Sequence, residues 1–203
     1  MHARLYVVVT PSLCRHPVAD TVAAAVEGGA GAVQLRWKEA ADAEFVALAR
    51  DLGALCHGLG VPFLINDRDG LYEACGADGI HLGEDDLPPE EFRRRFGDAP
   101  LVGLSTHDRF EVAAAAGRGA SYVGLGPVFA TETKRLSRPP GGPALVRAVE
   151  GATALPLYPI GGITAANAAS LVEAGARRLA VSSAVCAADD PRDAAAALAR
   201  LLA

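Results

Sequence analysis

Short apolar runs alternate with longer amphipathic segments along the whole chain. Eight runs have the length and composition of buried strands, at 5–9, 32–37, 63–66, 79–82, 101–105, 122–128, 157–161 and 179–183. The clearest helical segments are 41–59, 89–96, 164–175 and 191–202, the last with Asp189 or Asp190 as its N-cap. Eight strand–helix pairs in this short a chain predict an α/β fold, a single-domain (β/α)8 TIM barrel over residues 1–203.

The dipeptide Gly-Ala recurs where a predicted helix ends and the next strand begins. It starts at Gly29, Gly76, Gly119 and Gly175, ahead of every second predicted strand. Glycine is favoured after a helix because the chain turns there through a left-handed conformation. A period of two strand–helix units favours a closed barrel over an open doubly wound sheet.

The composition limits the classes of partner. A net charge of −5 argues against a nucleic-acid-binding surface, although local basic residues could still bind an anionic substrate. The chain contains no apolar stretch of the roughly 20 residues that a membrane span needs, and the run 5–9 before Pro11 predicts a strand instead of a signal peptide. Four scattered cysteines without a C-x-x-C pair predict free thiols in a cytoplasmic protein.

Two neighbouring predicted strands end in carboxylates. The third strand runs into Asp67, and the fourth is followed by Asp86. Adjacent parallel strands present their carboxyl ends at the same edge of a sheet, so the two side chains are expected to converge. Mg²⁺ uses one or two protein carboxylates and completes its coordination with substrate phosphates, so the pair predicts a magnesium site. The alternative is that both residues only cap the following helices.

Polar side chains alternate at the end of the second predicted strand. Gln34, Arg36 and Lys38 share one face there, which in a barrel points towards the lumen. Arginine and lysine suit phosphate oxygens, although an internal layer of salt bridges is an equal alternative. Asn66 and Ser105 end the third and fifth strands at the same rim.

The longest irregular segment, 129–142, follows the sixth predicted strand. It contains Thr131, Thr133 and Lys134, followed by Arg135 and Arg138. Loops that follow strands build the active site of this fold, so we expect a basic lid over an anionic substrate, with a solvated loop as the alternative.

A second anion site is expected on the far side of the rim. Gly162 follows the seventh predicted strand, and Ser182 and Ser183 end the eighth. Loops at these two positions commonly bind phosphate through backbone N–H groups. Two anion sites of different design imply two phosphorylated substrates or one long substrate. A diphosphate bound by a metal and cations is a good leaving group, because these charges stabilise the negative charge that develops as it departs. For His81 and His107 we expect packing or capping roles.

The segments VQLRWK, LIND, ADGIHLGEDD, VGLSTH, YVGLGPVFATETK and PIGGIT occur in this order and closely resemble thiamine-phosphate synthase. The resemblance spans about residues 5–185 and implies a TIM barrel. It also implies condensation of 4-amino-5-hydroxymethyl-2-methylpyrimidine diphosphate with hydroxyethylthiazole phosphate, by a dissociative mechanism.

The resemblance assigns a role to each candidate residue. It implies that Asp67 and Asp86 hold Mg²⁺ and that Gln34 contacts the pyrimidine. Binding and departure of the diphosphate are assigned to Arg36, Lys38, Asn66, Ser105 and Lys134, of which all but Asn66 are expected to be catalytic. Contacts to the thiazole phosphate are assigned to Thr131, Thr133, Gly162, Ser182 and Ser183.

The chain departs from the usual family pattern at four positions: Trp37, Glu84, Ala130 and Pro159. Glu84 adds a negative charge beside the expected metal, and Pro159 is expected to shift the strand that presents the thiazole-phosphate site. Two alternatives stay open, a thiazole tautomerase and a non-catalytic protein that senses thiazole phosphate. Some tautomerases carry a catalytic histidine at the position of Pro127, and both alternatives need Asp67 and Asp86 less than the synthase does. A homo-oligomer is also left open.

Overall fold

The computed structural model describes residues 2–131 and 138–203. Its parallel strands are β1 Leu5–Val9, β2 Ala32–Leu35, β3 Phe63–Asn66, β4 Gly79–Leu82, β5 Leu101–Thr106, β6 Tyr122–Leu125, β7 Leu157–Pro159 and β8 Leu179–Val181. They pair in the order β7-β6-β5-β4-β3-β2-β1-β8, so each strand lies beside its neighbour in sequence and β8 returns to β1. β7 and β8 lie in contact and bring the two ends of the sheet together. The predicted α/β barrel is confirmed.

Helices follow the strands on the outside of the sheet. They are α1 Val18–Glu27, α2 Asp42–Gly58, α3 Tyr72–Cys75, α4 Pro89–Phe96, α5 Arg109–Ala114, α6 Gly142–Ala148, α7 Ala168–Glu173, α8 Ser183–Cys186 and α9 Pro191–Leu201. Two 3₁₀ turns, Pro11–Leu13 and Asp69–Leu71, precede α1 and α3. Within the two described ranges, no helix combines the length and the apolar character needed to cross a membrane.

Most predicted boundaries agree with the structure, and the exceptions have local causes. The helix predicted at 164–175 begins only at Ala168, because the Asn167 side chain holds the preceding turn. Its Oδ1 accepts a hydrogen bond from Thr164 N and its Nδ2 donates one to Gly162 O, both at 2.9 Å. The strand predicted at 32–37 ends at Leu35, after which the chain turns towards α2. The strands predicted at 122–128, 157–161 and 179–183 also end early, at Leu125, Pro159 and Val181, where the chain enters the loops of the rim.

Two kinds of end signal in the sequence are confirmed. The glycines of the four Gly-Ala pairs all have positive φ angles, of 104°, 63°, 87° and 107° in chain order. Of the two aspartates proposed as N-cap of α9, Asp190 is the cap, since its carboxylate accepts a hydrogen bond from Asp193 N at 2.9 Å.

The core has two layers separated by the sheet. The outer layer lies between strands and helices and includes Val7, Leu35 and Ile65. The inner layer fills the floor of the barrel with the rings of Tyr6, Tyr122 and Tyr158, whose centroids lie 5.6–5.7 Å apart in edge-to-face pairs. Edge-to-face packing is a favourable arrangement for aromatic rings. This aromatic floor leaves the space at the carboxyl ends of the strands open.

Candidate active site

A cavity of about 420 Å³ opens at the carboxyl ends of the strands. The structure places eleven of the predicted site residues on its wall: Gln34, Arg36, Lys38, Asn66, Asp67, Asp86, Ser105, Thr131, Gly162, Ser182 and Ser183. The other two, Thr133 and Lys134, lie outside the described residues. The alternation predicted for Gln34, Arg36 and Lys38 therefore brings all three to one space.

The carboxylates of Asp67 and Asp86 meet at one end of this cavity. Their side chains are hydrogen-bonded to each other, and Lys38 Nζ lies 3.0 Å from Asp67 Oδ2. Burial and the neighbouring Asp67 raise the pKa of Asp86 to about 6. Burial opposes ionisation of Asp67 too, but the hydrogen bond with Asp86 and the Lys38 ammonium outweigh it and lower the pKa of Asp67. The pair therefore holds one proton readily and attracts cations.

The alternative in which these aspartates cap helices is wrong for the described structure. Asp86 Oδ2 accepts a hydrogen bond from Gly83 N at 2.6 Å within its own loop, whereas α4 starts after Pro88. Arg68 occupies the N-cap position of the 3₁₀ turn that follows Asp67, and no side chain caps that turn.

The chain turns sharply at Asp67 and Arg68, both of which have left-handed φ angles of 54° and 49°. Such angles cost about 1–2 kcal/mol per residue for side chains other than glycine. Strained backbone of this kind persists where the surrounding contacts hold it, and it is concentrated at functional sites. The turn directs Asp67 into the cavity while Arg68 points to the loop before α2.

Arg68 is a residue that the sequence analysis missed. Its Nη2 donates hydrogen bonds to the carbonyl oxygens of Lys38, at 2.9 Å, and Ala40, at 2.7 Å. Its Nη1 contacts Asp42 Oδ1 at 2.9 Å, and the guanidinium lies 4.7 Å from the centre of the Phe45 ring. Arg68 thus holds the backbone of the residue whose ammonium pairs with Asp67. In the sequence, the only sign is its position next to that aspartate.

A chain of hydrogen bonds crosses the cavity floor. Gln34 Nε2 donates to the Tyr6 hydroxyl at 2.5 Å, which lies 2.9 Å from the Tyr122 hydroxyl. His81 joins this chain to the rim, with Nδ1 3.1 Å from the Tyr122 hydroxyl and Nε2 3.0 Å from Ser105 Oγ. His81 therefore lines the cavity and links its floor to Ser105, and its ring also packs against that of Tyr122, with centroids 5.6 Å apart. Parallel alignment of β3 with β4 pairs His81 with Asn66, a predicted site residue, and this alignment is the signal that would have identified His81.

The floor depends on glycines that leave room for these rings. A Cβ atom on Gly103 would lie 2.2 Å from Tyr122 Cζ and 2.4 Å from His81 Nδ1. Burial raises the pKa values of Tyr6 and Tyr122 above their ordinary value, so both hydroxyls stay protonated at neutral pH. The two tyrosine hydroxyls therefore offer hydrogen bonds without adding negative charge.

A turn at Gly161 and Gly162 forms the opposite wall. Both glycines have positive φ angles, of 105° and 61°, and a Cβ atom on Gly162 would lie 2.1 Å from Ala130 O. Ser182 follows β8 and lines the same cavity. Its buried Oγ makes no hydrogen bond of normal geometry within the described residues, although the Cys186 thiol lies beside it. This wall therefore offers an anion one hydroxyl group and a stretch of backbone that the anion can approach closely.

Two of the unusual positions have little effect on this geometry. Glu84 lies 3.6 Å from Arg138 Nη2, which is also 3.4 Å from Glu111, so a cation offsets the added charge. Pro159 pairs in register with Leu125, and the next residue continues the pattern with a 2.9 Å hydrogen bond from Ile160 N to Leu125 O. Pro159 therefore leaves the parallel pairing of β6 and β7 intact, and a shift relative to other family members stays a prediction.

Comparison with known proteins gives a consistent result. The family model described as thiamine monophosphate synthase matches residues 5–185. The chain is 44% identical over 201 residues to thiamine-phosphate synthases of Albidiferax ferrireducens and Thermus thermophilus, covering 98% of this chain and 91% and 96% of theirs. A solved structure, thiamine phosphate pyrophosphorylase from Pyrococcus furiosus, has a TM-score of 0.87 at 32% identity, covering 98% of this chain and 95% of that one.

Proposed function

The chain belongs to the thiamine monophosphate synthase family, and we propose that its cavity performs the transfer by a Mg²⁺-assisted dissociative substitution. The enzyme is a transferase that joins 4-amino-5-hydroxymethyl-2-methylpyrimidine diphosphate to hydroxyethylthiazole phosphate, forming thiamine phosphate and pyrophosphate. One observation carries the proposed mechanism: the Asp67–Asp86 pair and the Gly162 turn face the same cavity, so each phosphorylated substrate has its own end.

The carboxylate pair fits a hard divalent cation. Among residues 2–131 and 138–203, no group of three or more His, Cys, Asp or Glu side chains could hold a metal. Asp67 and Asp86 would supply two ligands and leave the remaining coordination positions to phosphate and water. This is the coordination that Mg²⁺ prefers. Bound there, Mg²⁺ would neutralise the diphosphate and stabilise the charge on the leaving group.

Cations and hydrogen-bond donors of the chain assist the departure of the diphosphate. Arg36 and Lys38 follow β2 on the wall beside Asp67, and Asn66 and Ser105 line the same cavity. We assign these four side chains to the diphosphate oxygens, where negative charge develops as the C–O bond breaks and both bonding electrons leave with pyrophosphate. Lys134 would add a further cation, and this assignment stays a prediction because the residue lies outside the described structure.

The aromatic floor suits the aminopyrimidine ring. Gln34 and His81 sit in a hydrogen-bond chain below the cavity, and the Tyr6 and Tyr122 rings lie beneath them. We propose that these groups orient the pyrimidine while its methylene carbon carries positive charge. The aromatic rings would stabilise this cation without trapping it, because the buried tyrosine hydroxyls stay protonated.

The thiazole phosphate would occupy the opposite wall. Gly162, Ser182 and Ser183 offer backbone and hydroxyl donors to its phosphate, and Thr131 lines the same cavity. This arrangement would direct the thiazole nitrogen towards the pyrimidine methylene carbon, where its lone pair forms the new C–N bond. Thr133 is expected to contribute to this phosphate site from outside the described residues.

The tautomerase alternative is less well supported. Pro127 lines the cavity where some tautomerases have a histidine, and proline has no side chain that could move a proton. The paired carboxylates also have a use in diphosphate transfer that aromatisation of a thiazole lacks.

The four free cysteines support the expected cytoplasmic location.

The decisive experiment follows thiamine phosphate and pyrophosphate with both substrates, after treatment with a chelator and with or without added Mg²⁺. We expect the two products in equal amounts and only with the metal. A folded chain that binds thiazole phosphate but forms neither product would contradict the proposal. An electron-withdrawing substituent on the pyrimidine should slow the reaction strongly, and an unchanged rate would exclude a dissociative step.

A further inference from the structure

Two cysteines that are far apart in sequence lie side by side at the rim of the barrel. The thiols of Cys14 and Cys186 lie next to each other and interact. Both sulfurs lie against the end of β1, since Cys14 Sγ is 3.5 Å from Thr10 O and Cys186 Sγ is 3.7 Å from Val8 O. The backbones also meet, through a 3.0 Å hydrogen bond from Arg15 N to Cys186 O. A disulfide needs this proximity of both sulfur and backbone.

We propose that Cys14 and Cys186 form a site of oxidative modification, at which a peroxide converts the two thiols into one intramolecular disulfide. Their environments suit different parts in this reaction. Cys14 is only partly buried, whereas Cys186 is completely buried beneath it. The interaction with Cys186 lowers the pKa of Cys14, and the same contact raises that of Cys186. An accessible, acidified thiol beside a second thiol is the arrangement of peroxide-sensing cysteines.

The chemistry balances with one hydrogen peroxide per disulfide. The Cys14 thiolate attacks one peroxide oxygen, the O–O bond breaks, and the products are Cys14 sulfenic acid and, after protonation, water. The Cys186 sulfur then attacks the Cys14 sulfur, and the hydroxyl group leaves with the Cys186 proton as a second water. Peroxide is reduced by two electrons, and each thiol is oxidised by one.

The other two cysteines provide internal controls. Burial raises the pKa of Cys56 to about 12 and that of Cys75 to about 11, so both remain thiols at neutral pH. Their sulfurs are buried. They should react with peroxide only when the protein unfolds, so their modification distinguishes general damage from a specific site.

The modification has a direct route to the active site, and this step rests on the proposed function. Cys186 ends α8, the short helix that begins at Ser183, and its thiol lies beside Ser182 in the proposed thiazole-phosphate site. A bond to Cys14 would draw the Cys186 sulfur away from Ser182 and change the packing behind that hydroxyl. Loss of one phosphate hydrogen bond corresponds to a rise of about tenfold in the KM for thiazole phosphate. The KM for pyrimidine diphosphate should stay unchanged.

The experiment treats the full chain with hydrogen peroxide, blocks the remaining thiols and identifies the peptides without reduction by mass spectrometry. We expect a loss of two hydrogens, a cross-linked Cys14–Cys186 peptide and reversal by dithiothreitol. The bridge should be absent from Cys14→Ser and Cys186→Ser and present in Cys75→Ser. Oxidation of Cys14 to sulfinic acid without a bridge, or equal reaction of Cys56 and Cys75, would overturn the proposal.

The mass measurement does not depend on turnover, so it separates this proposal from the proposed function. If no thiamine phosphate forms under any condition, the proposed function fails while the peptide map still decides the bridge. If the bridge forms and the KM for thiazole phosphate is unchanged, the link to Ser182 is wrong. A rise confined to that KM, reversed by dithiothreitol and absent in Cys14→Ser, would support both parts.

Discussion

Lys38 Nζ lies 3.0 Å from Asp67 Oδ2, which pairs a cation from the end of β2 with a carboxylate from the end of β3. Half of the Lys38 side chain is exposed, whereas only 19% of the Asp67 side chain is. On its other side Asp67 is hydrogen-bonded to Asp86. Without a metal, Lys38 offsets the charge of Asp67, and below about pH 6 a proton on Asp86 removes the second charge. With substrate bound, we expect the half-exposed lysine to turn to the diphosphate while the more buried carboxylates stay in place.

The carboxylate pair should be essential for metal-dependent turnover. We expect Asp67→Asn and Asp86→Asn each to lower kcat/KM by roughly 100-fold or more, because loss of a metal ligand removes several kcal/mol of charge stabilisation. The matched control is Asp85→Asn, since Asp85 lines the same cavity but is more exposed. Steady-state kinetics over a Mg²⁺ titration make the test, and near-normal activity of both Asp67 and Asp86 variants would exclude the metal site.

The raised pKa of Asp86 should also appear in the stability of the metal-free protein. Its pKa is 3.8 when exposed and about 6 in the folded chain, so between these values the native state holds more protons than the unfolded state. The free energy of unfolding contributed by this residue therefore falls as the pH rises from about 4 to about 6, and stays reduced above that.

Asp86→Asn removes this cost of a buried charge. In the presence of a chelator, we expect the variant to unfold at a higher urea concentration than the wild type at about pH 8, with the difference vanishing towards about pH 4. A gain of equal size at both pH values would show that the effect does not come from ionisation of Asp86. Asp85→Asn is again the control and should shift neither curve.

Arg68 should act as a positioning residue for Lys38 and Asp67. It holds the Lys38 carbonyl oxygen at 2.9 Å while its own backbone continues from Asp67. We expect Arg68→Ala to lower kcat/KM about 10- to 100-fold, the range for residues that orient a metal ligand, and to weaken Mg²⁺ binding. Arg68→Lys should rescue little, because one ammonium cannot reproduce the fork of hydrogen bonds. The control is Arg50→Ala, an outer arginine that bonds Ala74 O. Unchanged Mg²⁺ affinity in Arg68→Ala would argue for a purely structural role.

The floor should be sensitive to a single methyl group. Gly103→Ala places a Cβ atom within 2.4 Å of both the Tyr122 and the His81 rings, so one ring must move. Overpacking of this kind costs about 1–3 kcal/mol of unfolding free energy. We also expect a higher KM for pyrimidine diphosphate. Gly58→Ala, at a helical position with open space, should preserve both quantities. A Gly103→Ala variant with normal kinetics would show that the floor does not orient the pyrimidine.

The barrel and most of its rim could be predicted because they depend on local patterns. An apolar run indicates a buried strand whichever strand it pairs with. Because adjacent parallel strands present their carboxyl ends at the same edge of the sheet, Asp67 and Asp86 can be placed together without knowledge of the packing. Alternation places Arg36 and Lys38 in the same way.

The floor and the Arg68 contacts depend on features without a local signal. Tyr6 and Tyr122 come from strands on opposite sides of the barrel, and their hydroxyls meet only because Gly103 leaves space beside them. Arg68 reaches the loop before α2 through left-handed turns at two residues that are not glycine. Such turns are held by surrounding contacts, so the sequence near Asp67 does not reveal them.

The Gly162 turn should determine affinity for the thiazole phosphate. Gly162→Ala combines a φ angle of 61° with a Cβ atom only 2.1 Å from Ala130 O, so the turn must open. Gly151→Ala is the matched control, because Gly151 has a similar φ of 67° but open space around it. Both variants should lose about 1–2 kcal/mol of stability from backbone strain. Only Gly162→Ala should raise the KM for thiazole phosphate, by about tenfold, which equals the loss of one phosphate hydrogen bond. Equal kinetics of the two variants would place that phosphate elsewhere in the cavity.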